Sequence, residues 1–158
     1  LTTLGIDPGK DGALVLLDGR RPLASALLAD LVGTARWEAR ADVVAGWIRS
    51  VHATYRIDRA VMELYAGRAG QGRGSMLTIG VGWGLLRGVC GGLGVPVRVV
   101  ASNRWQSALL DGLPGDGKDR AIAYALQEVP DLDLMPGRRR KPHDGLADAA
   151  CLAVWGGA

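Results

Sequence analysis

Apolar residues fall into short runs broken by glycine, proline and charge, and the period of each run predicts an element. Residues 4–7 and 12–17 read as strands joined by Pro8-Gly9-Lys10-Asp11, where proline and glycine mark a tight turn. Gly19-Arg20-Arg21-Pro22 turns into a third strand over 23–28, so the opening predicts a three-stranded antiparallel meander. Val43, Val44, Trp47, Ile48 and Val51 share one face of a helix over 38–53. A short buried strand over 60–63 follows, then a glycine-rich polar stretch over 66–74 that reads as a mobile loop. Helices are expected over 75–93 (capped at Ser75), 102–110 and 118–129, with an apolar strand over 95–100 between the first two. Residues 130–141 read as an exposed connection, and 142–155 as a closing helix that turns from amphipathic to apolar. No repeat interrupts this order, which predicts one α/β domain over residues 1–158.

Composition narrows the class. With 158 residues, 48% of them hydrophobic and 22% charged, the chain can bury a core without staples. Its most apolar window, 79–94, contains Arg87 and several glycines and falls short of the roughly 18 apolar residues of a membrane span. A soluble protein without a membrane partner is expected. Cys90 and Cys151 lie in apolar runs with no CxxC and no histidine nearby, which predicts core thiols in a reducing compartment and argues against zinc. The chain opens on Leu1-Thr2-Thr3-Leu4 without a signal-peptide pattern, so a cytoplasmic location is expected, in a bacterium or a phage-infected cell, with an organelle left open.

A net charge of +3 permits a nucleic-acid partner without requiring one. Distribution says more: Arg138, Arg139, Arg140 and Lys141 form a basic block just before a pair of acids. The block is either a solvated loop or a contact for phosphates.

Four carboxylates carry the candidate chemistry. Asp7 and Glu63 each end an apolar run, while Asp144 and Asp148 lie one helical turn apart among Leu146, Ala147, Ala149 and Ala150. Taken singly, Asp7 before Pro-Gly is turn chemistry, Glu63 a strand-end charge, and Asp144 a helix N-terminal acid favoured by the macrodipole. Asp148 has no such account. Partly buried like charges cost several kcal/mol each, on the order of the penalties for desolvated ions, unless a cation relieves them. A hard divalent ion with oxygen ligands fits, and magnesium suits it because it keeps waters and takes phosphate oxygens. Such a set can hold two ions about 3.5–4 Å apart, one activating water and one stabilising the departing 3′ oxygen. Gly9 and Gly12 would leave room for a phosphodiester beside Asp7, and His143 could steer water or phosphate or be a plain surface histidine. Gly80, Gly84 and Gly88 share one helical face, for tight packing on the chain's own sheet or for a helix-to-helix dimer contact.

The ordered motifs resemble those of the RuvC-type Holliday junction resolvases of the RNase H-like superfamily. Gly5-Ile6-Asp7-Pro8-Gly9 with Gly12-Ala13 resembles that family's first-strand motif, and Val61-Met62-Glu63 its second acidic strand. His143-Asp144-Gly145-Leu146-Ala147-Asp148-Ala149 resembles its last-helix signature, in the style of bacteriophage and organellar members. Gly82-x-Gly84, Trp105 and Lys118-Asp119-Arg120 add smaller matches.

The resemblance implies an RNase H-like mixed five-stranded sheet, three antiparallel strands followed by parallel ones, flanked by helices. It implies a homodimeric, magnesium-dependent endonuclease, with manganese as substitute, that resolves four-way DNA junctions by symmetric nicks with two ions per site. Asp7, Glu63, Asp144 and Asp148 become the catalytic metal ligands. Lys118, the block Arg138 to Lys141 and His143 become DNA contacts, and Gly80, Gly84 and Gly88 the dimer face. The last two acids stand four apart rather than the three of bacterial members, which predicts the phage or organellar geometry. The chain has no phenylalanine to wedge into the junction centre, and Tyr65 is the candidate to stack there instead, unless it is a core tyrosine.

Three other readings compete. A broader RNase H-like nuclease cutting hybrids or flaps would use the same acids. A non-cleaving junction-binding module would not need all four. An actin- or sugar-kinase-type nucleotide domain also has Asp-x-Gly after its first strand, but needs two such domains where 158 residues supply one.

Overall fold

The computed structural model describes residues 1–9, 11–34, 37–65, 70 and 72–158, with the side chains of 37–39 left aside. The opening meander forms as expected: β1 (Thr2–Ile6), β2 (Ala13–Asp18) and β3 (Arg21–Leu27) pair antiparallel, with a register shift between Leu16 and Leu17. Next come α1 (Leu28–Val32) and α2 (Trp37–Tyr55), the latter kinked at Arg40. Strand β4 (Arg59–Glu63) then adds parallel to β1, and after α3 (Arg73–Gly92) strand β5 (Val97–Val100) adds parallel to β4. Three helices complete the order: α4 (Ser102–Leu109), α5 (Gly117–Glu128) and α6 (Asp144–Gly157). The sheet runs β3-β2-β1-β4-β5, the mixed five-stranded arrangement flanked by helices.

Strand alternation sorts the core into two layers. Leu4, Ile6, Leu14, Leu16 and Met62 pack with Val44 and Ile48 of α2 and Leu86 and Cys90 of α3. On the other face, Ala13, Val15, Leu17 and Val61 pack with Trp105, Ala121, Ala125 and most of α6. Helix α6 is buried almost all round, so its apolar character reflects a central position rather than one greasy stripe. Both cysteines are free and buried.

Close approach of α6 to β1 is written in glycine. A Cβ at Gly5 would stand 1.8 Å from the Ala149 carbonyl oxygen, and one at Gly156 would stand 2.2 Å from Val61 Cγ2. No side chain fits either place.

Four expectations need correction. The short helix α1 replaces the end of the third strand, because Leu28 turns inward to meet α2. Helix α3 starts from Gly72 rather than Ser75, and the loop expected over 66–74 lies largely outside the described residues, as does Lys10 in the first turn. Strand β5 starts two residues later than expected, at Val97, after Pro96. The connection over 130–141 is not wholly exposed, since Leu132 and Leu134 are buried and pin it to the α5–α6 layer.

Among the described residues no helix is long and apolar enough to cross a membrane. Gly5→Ala is expected to cost about 3 kcal/mol or more in urea unfolding, since the clash is with backbone. Gly91→Ala, whose Cβ meets nothing within 4 Å, should instead stabilise by about 0.5–1 kcal/mol.

Candidate metal centre

Parallel pairing brings the first two acids together. Gly5 lies opposite Val61 and Ile6 opposite Met62, so Asp7 and Glu63 leave neighbouring strands side by side. By alternation, Asp7 shares a face with Gly5, and Glu63 with Val61, which is the face α6 covers. Asp144 opens α6 and Asp148 follows one turn later, on the side of the helix that meets the strand ends. Gly145 lets this end of α6 close: a Cβ there would stand 2.6 Å from the Asp11 carbonyl oxygen and 3.1 Å from Asp7 Oδ2. Gly12 has a similar duty. Its Cβ would lie 2.1 Å from the Asp7 carbonyl oxygen, so its missing side chain serves the turn and not an incoming phosphodiester.

Electrostatics show the four acids sharing one field. Burial pushes the Asp148 carboxyl up to about 8, with Asp7, Glu63 and Asp144 adding repulsion. Burial likewise raises Asp7 to about 7, helped by Glu63 and then Asp144, and opposed by the Gly9 N–H and Lys118. Glu63 is also raised by burial, against the Trp105 indole N–H, which donates to its Oε2 at 2.8 Å. Asp144 goes the other way. Its Oδ2 stands 2.5 Å from Lys118 Nζ, and that hydrogen bond is the largest influence lowering it.

A set of hard oxygen donors, most of them kept from ionising by burial and then by one another, fits a divalent cation. Among the described residues no three acids, histidines or cysteines close into a finished metal cage, so the acids line a gap rather than a shell.

Two clefts flank Glu63. One of about 310 Å³ is lined by Asp7, Gly9, exposed Leu64, Tyr65 and Ser102. The other, about 410 Å³, is lined by Ser102, Gln106, Asp116, Lys118 and Asp148. Ser102, Gln106 and the Trp105–Glu63 hydrogen bond escape a reading of the sequence, because their polar atoms carry no spacing signal until α4 is docked.

The remaining predicted positions separate. His143 precedes α6, donates its backbone N–H to Leu134, and has a buried Nδ1 with no hydrogen-bond partner among the described residues. Arg138, Arg140 and Lys141 are exposed ahead of α6. Arg139 is partly committed, to Asp30 at 3.5 Å and the Pro136 carbonyl at 3.0 Å. Gly80, Gly84 and Gly88 lie on the exposed face of α3 with nothing within 4 Å of a Cβ, which removes tight packing on the chain's own sheet as their explanation.

No protein-family model matches the sequence, and no curated protein matches it either. Solved structures do. The chain shares the fold of RuvC. Its similarity to Thermus thermophilus RuvC in complex with a Holliday junction substrate has a TM-score of 0.73 at 18% identity, over 98% of this chain and 91% of that one. A second T. thermophilus RuvC structure matches with a TM-score of 0.71 at 18% identity, over 98% and 92% of the two chains. The yeast mitochondrial Holliday junction resolvase Ydc2 matches with a TM-score of 0.58 at 15% identity, over 97% and 76%.

The raised carboxyls tie stability to pH. A carboxyl whose folded value lies above its unfolded one favours the fold below its unfolded range, and that contribution disappears as pH rises through the folded value. In a chelating buffer the protein is therefore expected to lose stability from about pH 4 to pH 8, the loss ending as Asp7 near 7 and then Asp148 near 8 give up their protons. Asp148→Asn should flatten that slope and raise stability at pH 9 by about 1–3 kcal/mol in urea titrations. A slope unchanged by the substitution would show that Asp148 ionises without strain.

Proposed function

We propose that this chain is a single-domain, divalent-metal-dependent endodeoxyribonuclease that resolves four-way DNA junctions by paired nicks in opposed strands. The observation that carries the proposal is the convergence of carboxylates from β1, β4 and α6 at one end of the sheet, the two deepest held back from ionising by burial first and by neighbouring acids second. The fold shared with RuvC, solved in complex with a Holliday junction, supports the same reading.

In this proposal Asp7, Glu63, Asp144 and Asp148 are the ligands of two magnesium ions, with manganese able to replace them. Bound there, the ions would supply an activated water and a countercharge for the departing 3′ oxygen. The chain's own groups do the positioning. Trp105 fixes one Glu63 oxygen and leaves the other to face the clefts. Lys118 holds Asp144 and brings a positive charge to the cleft that Asp148 lines. Tyr65 presents a ring beside the acids for an unstacked base. Arg138, Arg140, Lys141 and His143 offer a basic approach to phosphates next to the start of α6.

A homodimer fits the exposed face of α3, where Gly80, Gly84 and Gly88 run beside exposed Met76 and Leu77. Two such sites would give the paired nicks. The proposed place of action is the cytoplasm of a bacterium or phage-infected cell, or an organelle.

Synthetic four-way junctions, flaps, hybrids and plain duplexes, offered with magnesium and mapped for nicks, test the substrate. Symmetric nicks confined to the junction are expected; equal cutting of flaps or hybrids would favour the broader nuclease. Asp7→Asn and Asp148→Asn should each abolish nicking while gel shifts on the junction persist, because ligands and DNA-gripping cations are different residues. Loss of both activities in a folded variant would count against the assignment.

For the basic block, Arg138→Ala should lower the salt dependence of junction binding by roughly 0.9 log–log units for each phosphate it ceases to neutralise. Arg139→Ala should move it less, given the Asp30 pairing. Gly84→Leu should shift sedimentation from dimer to monomer, and an unchanged dimer would place the interface elsewhere.

A further inference from the structure

Round α4 from the acidic clefts, a cavity of about 310 Å³ opens at the edge of the sheet. Edge strand β5 supplies Arg98 and backbone from Val99 to Ala101, α4 supplies Arg104, and α6 supplies Trp155. The Arg98 guanidinium lies 4.1 Å from the centroid of the Trp155 ring. Stacking of this kind orients a guanidinium yet leaves its in-plane N–H donors free. Among the described residues neither Arg98 nor Arg104 has a carboxylate partner, and no acid lines the cavity.

Two plainer accounts fall short. Arg98 is not spent capping α6, because the Gly156 carbonyl at that end accepts from Arg59 Nη1 at 2.7 Å. A charge on an edge strand does discourage unwanted strand pairing. One arginine suffices for that, and it explains neither the second arginine nor the indole beneath the first.

Two unneutralised guanidiniums round one cavity call for an anion with forked acceptors, as phosphate has. Position then selects among anions. Arg98 lies opposite Val61, and Val100 opposite Glu63, so Arg98 sits on the Glu63 face about 7 Å back along the strands. Trp155 follows Asp148 by about 10 Å along α6. Phosphates on one strand of duplex DNA rise about 3.4 Å per step, so a strand at the acids reaches this cavity within about three nucleotides.

We propose that the cavity formed by Arg98, Arg104 and Trp155 is a second phosphodiester-binding site, holding a DNA arm close to the acids and separate from the Arg138–Lys141 block. The proposal rests on the reading of DNA as substrate. The site contacts backbone and sets register; it does not read bases.

Anisotropy titrations of a labelled four-way junction in EDTA, across roughly 50–200 mM salt, test it. The double variant R98A/R104A is expected to lower the log–log slope by roughly 0.9 for each phosphate left unneutralised, thus by about one to two units. R98K/R104K should keep the slope but lose affinity severalfold, since charge remains and the fork does not. Both side chains are exposed, and thermal melts with R104A alone guard against a folding artefact. Wild-type slope and affinity in the alanine variants overturn the proposal. So does poly-aspartate competing at the site as well as a single-stranded oligonucleotide of equal charge, which would assign the cavity to acidic protein segments. A wild-type chain that binds no DNA overturns the functional reading instead.

Discussion

Backbone meets backbone where α6 crosses β1, and the rest of the molecule is arranged round that contact. Gly5 offers no side chain, and the carbonyl of Ala149 occupies the space a Cβ would need. Gly145 meets backbone again at the start of the helix, and at its end Gly156 leaves room for the side chain of Val61 on β4. Had the helix stood off by the width of an ordinary side chain, Asp144 and Asp148 would lie in a layer above Asp7 and Glu63. Their carboxylates would then face solvent and titrate independently. Pressed down, Asp148 is buried beside Asp7 and Glu63, and the loss of water together with the added repulsion is the signature of the site.

That repulsion has to be tolerated by the protein itself. Lys118 neutralises one acid, the Trp105 indole satisfies one oxygen of another, and the Gly9 N–H lies 3.5 Å from Asp7 Oδ1. Asp148 receives the least help and is displaced furthest from ordinary carboxylate behaviour. Functional sites commonly depart from the rules that stabilise the surrounding fold. Here the crowded acids gather at one end of the sheet, while the two apolar layers on either side follow alternation except beside the register shift, where Leu23 and Ala24 both join one layer.

Much of this was legible in the residues, for identifiable reasons. Period-2 runs broken by Pro-Gly announced the meander, and carboxylates closing apolar runs announced the site, because both signals are local. Residues whose role depends on docking were not legible. Trp105 and Lys118 stood out only as motif matches, and their partners appear once α4 brings the Trp105 N–H to Glu63 and α5 carries Lys118 to Asp144. The glycines were the hardest residues to read. Gly12 suggested room for a ligand but serves a turn, while the stripe on α3 left packing and a dimer contact both open and turns out to face outward. A missing side chain marks a close approach without naming what approaches. Leu132 and Leu134 were hidden for a related reason, since two leucines in a polar connection lack the periodicity that identifies a buried face.

Parallel pairing of β1 with β4 has a temporal consequence. The acids on those strands are more than fifty positions apart in the chain, and α6, which carries the other two, follows every strand. During synthesis the ribosome would release a nearly complete sheet whose acidic end still lacks half its charge and its covering helix. The full set of four acids would therefore assemble late and all at once, after the strands are made. A nascent chain paused before residue 144 would carry only the Asp7 and Glu63 half of the acidic cluster.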